Sequence, residues 1–286
     1  MTAVANVSPF TPDVAERIGE RLAEFKLPTL HAELVARFKQ AGVSHVLPLL
    51  LEILELEAGD RRQRRIQRLL HAAKLPPGKT FETFLEGRLP SRLTQKLRDL
   101  STGDFLDRAD NVLAFGLPGT GKTHAACALG HALVLAGRSV LFTPTYQLVQ
   151  ELLAAKRDLV LPRALRRLDA FELLILDDIG YVQQSPEEIE VLFTLMAERY
   201  ERRSMLITSN LVFSEWEKIF KNPMTTAAAI DRLVHHSEIL EFDVPSFRTE
   251  DAKKRKEKKD EKTDGRSARR ATTTNDEEQP GVRRQV

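Results

Sequence analysis

The stretch Gly116-Leu117-Pro118-Gly119-Thr120-Gly121-Lys122-Thr123 follows the apolar run Asn111-Val-Leu-Ala-Phe115 and precedes a helical run. This G-x-x-x-x-G-K-[ST] spacing, set between a short strand and a helix, commits the chain to an α/β fold that holds phosphate. Small residues let backbone N–H groups curl around phosphate oxygens. Lys122 then reaches the terminal phosphates, and the Thr123 hydroxyl ligates Mg²⁺. The helix that starts near Gly121 adds its positive dipole end. The sequence therefore implies a nucleoside triphosphate site built from residues 116 to 123, with His124 next on the helix.

A phosphate loop does not separate kinases, GTPases and motors. The run Leu173-Leu-Ile-Leu-Asp177-Asp178-Ile-Gly180 goes further. Four apolar residues ending in an acid read as a strand buried on both faces, as in a parallel sheet. Asp177 then stands at the carboxyl end of the strand, where open α/β sheets place their ligands, and with Thr123 it forms the expected Mg²⁺ pair. Asp178 is the acid an additional-strand ATPase uses to orient and deprotonate the attacking water. A nucleotide kinase has no need of it, and would need instead an arginine-bearing lid and an acceptor pocket that the sequence does not display. A plain acid at a strand-to-loop turn is the alternative. Another strand, Ser204-Met-Leu-Ile-Thr208, ends in Ser209-Asn210. If the two strands are neighbours, Asn210 lies beside Asp178 in a sensor position; otherwise it is an Asn in an Asx turn. Strands near 111, 139, 173, 204 and 238 with helices between them predict a five-stranded parallel sheet. Ser185-Pro-Glu-Glu188 and Ser214-Glu-Trp-Glu217 have N-cap spacing with an acid at N3 and open two further helices.

The segments Arg199-Tyr-Glu-Arg-Arg-Ser204, Thr208-Ser-Asn210, Glu215-Trp216, Asp231-Arg232-Leu-Val-His-His236-Ser237 and Ser246-Phe-Arg248 extend the pattern. With Ala73-Lys-Leu-Pro76 and Lys79-Thr-Phe-Glu-Thr-Phe84 upstream, the chain over roughly residues 10 to 250 resembles the AAA+ ATPases. Among them it is similar to the IstB-like helper ATPases of insertion-sequence transposition, relatives of the helicase loader DnaC. The resemblance implies ATP and Mg²⁺ as cofactors and an oligomer with ATP sites at its subunit boundaries. It makes Arg232 the candidate arginine finger, with Arg203 the runner-up, and Arg248 a sensor within its own subunit. It implies duplex DNA and a transposase as partners. A DnaC-like loader and an ATP-binding DNA adaptor with little hydrolysis are the rival readings. Asp178 stands where the AAA+ pattern usually has Glu, and a side chain one methylene shorter is compatible with slow turnover. Little apolar sequence remains after Phe247, so the AAA+ lid is expected to be short or absent.

The first hundred residues read as helical. One helix starts at Thr11-Pro12 with the stripe Ile18, Leu22 and Phe25; a second carries Leu30, Leu34 and Phe38; a third runs from about His45 to His71, closed by Pro76-Pro77-Gly78. On the third, Arg61, Arg64, Arg65 and Arg68 fall at i, i+3, i+4 and i+7, with Ile66, Leu69, Leu70 and Ala73 opposite. A one-faced arginine stripe is the electrostatic footprint of phosphate-backbone contact, although Glu57 at i, i+4 from Arg61 offers a local pair. The resulting organisation is a helical DNA- or partner-binding domain over 1–75, a connector over 76–109, the ATPase core over 110–250 and a charged tail over 251–286. The tail carries 12 basic and 8 acidic side chains, a surplus of four, and its composition is that of a solvated, disordered segment. For the whole chain, 43 basic and 41 acidic residues leave +2, too little to argue nucleic-acid binding without the stripe.

The single cysteine, Cys127, excludes a disulfide framework and a cysteine zinc cluster. His235-His236 are adjacent on a predicted helix and point apart, with no third ligand evident nearby in the sequence, so no metal is expected there. No apolar run approaches the roughly 18 residues of a membrane span. With no charged-then-apolar leader, a cytoplasmic protein without membrane contact is expected.

Overall fold

The computed structural model describes residues 13–84, 87, 89–181, 185–211, 215–216, 227, 230–231, 233–247 and 249. The chain divides into two compact units, Met1–His71 and Ala72–Val286.

In the first unit, helix α1 (Val14–Glu24) follows Asp13 in the N-cap position, and the expected Thr11-Pro12 start lies outside the described residues. Helix α2 (Pro28–Gln40) opens with proline at N1, and helix α3 (Leu47–Ala73) follows a 3₁₀ turn over Ser44–Val46. Ile18, Leu22, Leu47 and Leu51 form a small core, with Leu34 and Phe38 packed against it. The α1 stripe is buried as its spacing requires, Phe25 included. Leu30 is not: it stays 45% exposed. Arg17 and Arg21 both reach Glu55 on α3, at 3.1 and 3.2 Å. These are solvent-exposed pairs that set register more than they add stability.

The expected connector over 76–109 contains two helices, α4 (Ser91–Leu100) and α5 (Asp104–Asp107). Helix α4 buries Leu93, Leu97 and Leu100 at i, i+4 and i+7, one apolar stripe at helical spacing. Then come β1 (Asn111–Gly116), α6 (Lys122–Leu135), β2 (Val140–Pro144), α7 (Thr145–Arg157), α8 (Leu161–Asp169), β3 (Leu173–Asp177), α9 (Pro186–Arg199), β4 (Ser204–Ser209) and β5 (Ser237–Phe242). The five strands form one parallel sheet in the order β2-β3-β4-β1-β5. β4 thus lies between the strand that feeds the phosphate loop and the strand that ends in Asp177. The register Phe115↔Ser209 and Leu176↔Ile207 brings the carboxyl ends of all three strands to one edge.

Helix α6 is buried from Ala125 through Gly130, a run of small and apolar residues. Its small residues allow the close approach: a Cβ on Gly130 would fall 2.8 Å from Cδ1 of Ile175 on β3. Cys127 is fully buried here, and burial pushes its thiol up to about 12, so it is an inert packing residue. Ser185 and Glu188 make the reciprocal capping box expected at the start of α9, with Ser185 N–H donating to Glu188 Oε2 at 2.7 Å and Glu188 N–H to Ser185 Oγ at 3.3 Å. Among the described residues no helix is long and apolar enough to cross a membrane.

One buried cation holds the amino-terminal ends of the strands. Arg199 is 1% exposed, and its Nη atoms donate to the carbonyls of Leu168 (2.9 Å), Phe171 (3.0 Å) and Ser204 (2.9 Å). It ties the end of α8 and the approach to β3 to the first residue of β4. Burial pushes its pKa down to about 10, which still leaves it charged at neutral pH. Truncation would strand several buried carbonyls, each costing about 1–3 kcal/mol. Arg199→Met should therefore lower unfolding free energy by about 3 kcal/mol or more, read by chemical denaturation. A change under 1 kcal/mol would show that the carbonyls find other donors.

Candidate nucleotide site

The loop between β1 and α6 is shaped by glycine. Gly116 sits at φ +154° where a Cβ would fall 2.6 Å from the carbonyl oxygen of Phe242, so no side chain fits. Gly121, the N-cap of α6, is left-handed at φ +100°, a conformation that L side chains rarely adopt. The exposed tip is Leu117-Pro118, and buried Thr120 braces it by donating from Oγ1 to the carbonyl of Leu117 at 2.8 Å. Gly119 accepts at its carbonyl from the N–H of Phe247 at 2.9 Å. Lys122 folds over the loop, its Nζ donating to the carbonyls of Gly116 (2.6 Å) and Leu117 (2.9 Å). Its charge is thereby held at the centre of the curl.

Behind the loop, Asp177 is a junction. Its Oδ1 accepts from Thr123 Oγ1 of α6 and from Thr208 Oγ1 of β4, both at 2.8 Å, and its carbonyl accepts from Thr145 Oγ1 at 3.0 Å. Thr208 Oγ1 in turn accepts the N–H of Asp178 at 2.8 Å. The Thr208 hydroxyl is one site group that sequence reasoning missed. The signal was its place one step before Ser209-Asn210 on a strand beside β3. A threonine hydroxyl and a carboxylate converging at the helix start are hard oxygen donors of the kind Mg²⁺ takes. The residues present therefore fit that ion.

Asp178 and Asn210 lie on neighbouring strand ends, as the adjacency of β3 and β4 requires. Asn210 packs against the 177–180 turn: a Cβ on Gly180 would fall 2.5 Å from Asn210 Oδ1. That oxygen is buried and has no hydrogen-bond partner among the described residues. A buried polar atom without a partner is costly to keep. Asp178 itself is left-handed, at φ +62°.

A second group flanks α6. His124 Nε2 lies 3.2 Å from both Thr83 Oγ1 and the carbonyl of Thr80, and its ring is 5.0 Å from that of Phe84. Phe84 and Phe247 approach Gly121 from different segments, at 3.4 and 3.5 Å from its would-be Cβ. Thr80, Thr83, Phe84 and Phe247 are therefore neighbours of the loop that spacing did not reveal, since they come from segments before β1 and after β5. Arg232 and Arg248 lie outside the described residues. Arg61, Arg64, Arg65 and Arg68 belong to the other unit, on α3, where all four are exposed. There Glu57 pairs with Arg61 at 2.6 Å and Arg64 at 3.4 Å, and Arg61 also lies over the Phe25 ring at 4.2 Å.

Comparison with known proteins agrees with this geometry. The profile of the IstB-like ATP binding protein family matches residues 21–257. An insertion-sequence ATP-binding protein of Sinorhizobium fredii is 43% identical over 261 residues, covering 90% of this chain and 86% of that protein. The IS21 ATP-binding protein of Pseudomonas aeruginosa is 39% identical, covering 70% of this chain and 76% of its own length. Among solved structures, the replication initiator DnaA bound to AMPPCP and single-stranded DNA aligns with TM-score 0.50 at 18% identity, over 60% of this chain and 52% of that one. The chain belongs to the IstB-like ATP binding protein family, and its second unit has the AAA+ P-loop fold.

The left-handed backbone at Asp178 favours aspartate over glutamate at this position. Asp and Asn visit this region several-fold more often than other non-glycine residues, and an ordinary side chain there costs roughly 1–2 kcal/mol. Asp178→Glu should lower stability by about 1 kcal/mol, whereas Asp178→Gly should leave it nearly unchanged, as read by thermal and chemical melts. Equal stability of the Glu variant and the parent would remove the backbone explanation.

Proposed function

We propose that the chain binds ATP with Mg²⁺ in the 116–123 loop, hydrolyses it slowly, and uses the ATP-bound state to assemble as an oligomer on duplex DNA and recruit a transposase. The observation that carries the reading is the junction at Asp177, which draws the loop threonine and the β4 threonine onto one carboxylate. In this reading Lys122 neutralises the terminal phosphates, and a Mg²⁺ ion held beside them would supply charge stabilisation. Thr123 and Asp177 hold the ion, while Gly116 to Thr123 and His124 surround the nucleotide, with Arg248 reaching it from the same subunit. Asp178 orients the attacking water and takes its proton, and Asn210 holds the water from the neighbouring strand. Arg232 acts as the finger from the adjacent subunit, where it stabilises developing charge.

Supporting the DNA reading is the exposure of Arg61, Arg64, Arg65 and Arg68 on one long helix. Residues 1–75 then make the DNA and partner contacts, 76–109 connect them to the core at 110–250, and 251–286 form a charged tail. The protein acts in the cytoplasm.

Two experiments test this. Arg232→Ala should keep ATP affinity and lose hydrolysis, by at most the 10³–10⁵-fold that arginine fingers contribute, and Lys122→Ala should lose ATP binding. Mixed, the two can form a boundary in which an intact loop faces an intact finger, so DNA-stimulated hydrolysis should reappear. If mixed oligomers form and stay inactive, Arg232 is not a finger and Arg203 is tested next. Separately, DNA affinity should fall with salt at a log–log slope of about −0.9 per phosphate contact. Changing all four arginines to Gln should flatten that slope with ATP affinity intact; an unchanged slope moves the DNA surface elsewhere.

A further inference from the structure

At the opposite end of the sheet from the loop, three metal-ligating side chains come together that the sequence keeps 34 or more positions apart on one side and adjacent on the other. Glu201, in the turn after α9, meets His235 and His236, which lead into β5. One donor atom from each lies within 4.8 Å of the other two. His236 Nε2 is 4.0 Å from Glu201 Oε1, and the two imidazole rings are 4.2 Å apart at 60°. The sequence-based expectation that adjacent histidines point apart is therefore overturned: the helix ends at Val234, and in the turn that follows both rings face the same acid.

The backbone under this cluster is fixed. Asn111 N–H donates to the carbonyl of His236 at 2.7 Å, its Nδ2 donates to the carbonyl of Leu233 at 3.4 Å, and its Oδ1 accepts the N–H of Met205 at 2.9 Å. One buried side chain thus joins the turn that bears the histidines to the strand that follows Glu201. The hydroxyl of Tyr200 stands 3.1 Å from Nδ1 of His235, a polar anchor on that ring. Such partners orient a histidine for metal and are part of the binding energy. All three ligand residues are exposed, so a cation reaches them from solvent and the side chains are free to close. Metal–ligand bonds of 2.0–2.2 Å place donors roughly 3–3.5 Å apart, about 1 Å nearer than they stand here.

We propose that Glu201, His235 and His236 form a binding site for a borderline divalent transition metal such as Zn²⁺, remote from the nucleotide. Two imidazoles and one carboxylate suit that class and are poor ligands for Mg²⁺. The ion joins the turn before β4 to the turn before β5, and because it binds the folded chain it raises the melting temperature. This is independent of the nucleotide reading, and its test uses no ATP.

The full chain, treated with chelator and freed of nucleotide, is titrated with Zn²⁺ by calorimetry, and with Co²⁺ to read the visible ligand-field bands. One equivalent with histidine-type bands is expected, together with a rise in melting temperature. His235→Gln/His236→Gln should abolish both, Glu201→Gln should weaken binding, and Tyr200→Phe should weaken it about tenfold. Circular dichroism confirms that the Gln variants, which change exposed side chains only, remain folded. No binding by the parent chain, or Zn²⁺ binding unchanged in the double variant, overturns the proposal.

Discussion

Much of the second unit depends on a single carboxylate oxygen. Asp177 Oδ1 receives hydroxyls from Thr123 on α6 and Thr208 on β4, so the phosphate loop, the strand that ends in the acid and the strand between them share one point. Hydrogen bonds to an ionised acceptor are about twice as strong as neutral ones. Because the two hydroxyls arrive from different elements, their geometry is set by the sheet and by the packing of α6. The close fit of α6, where a Cβ at position 130 would press on Cδ1 of Ile175, thus bears on the site as well as on the core.

Sheet order decides what else stands at that point. With β4 inserted between β1 and β3, Thr208 faces Asp177 and Asn210 stands against the 177–180 turn. Had β3 paired with β1 directly, neither side chain could reach. A side chain at position 180 would displace Asn210, whose Oδ1 lies 2.5 Å from where the Cβ would stand. Backbone strain at Asp178, its hydrogen bond to Thr208 and the orphaned oxygen of Asn210 all fall at the neighbouring ends of β3 and β4. Concentrated strain and unsatisfied polarity of this sort are characteristic of sites built for a ligand.

The local parts of this arrangement were legible in the sequence. The loop, the buried β3 run ending in Asp177, the five strand positions and the capping box at Ser185 are written in contiguous residues, where period and spacing carry the information. What was not legible came from long-range contact. Helix α4 lies within the hundred residues read as helical, but its packing partners are not written in its own stretch. Leu30 has helical spacing yet stays 45% exposed among the described residues. Phe84 and Phe247 meet at Gly121 from residues 163 positions apart, and Glu201 meets His236 across a whole strand and its return. No window on the sequence contains both halves of such pairs.

Strand β4 connects the two ends of the sheet. All six of its residues are buried, its first carbonyl is held by Arg199, and the N–H of Met205 is held by Asn111. A strand fixed at its start and hydrogen-bonded on both edges has little freedom to shift lengthwise, so the positions of Thr208 and Asn210 are determined partly by contacts at the far end, about four to six residues away at roughly 3.3 Å each. The buried arginine is therefore more than a packing curiosity. It holds the carbonyls of Leu168, Phe171, Glu172 and Ser204, so it fixes the start of β4 against the approach to β3, while at the other end a threonine hydroxyl on β4 meets the β3 carboxylate at 2.8 Å.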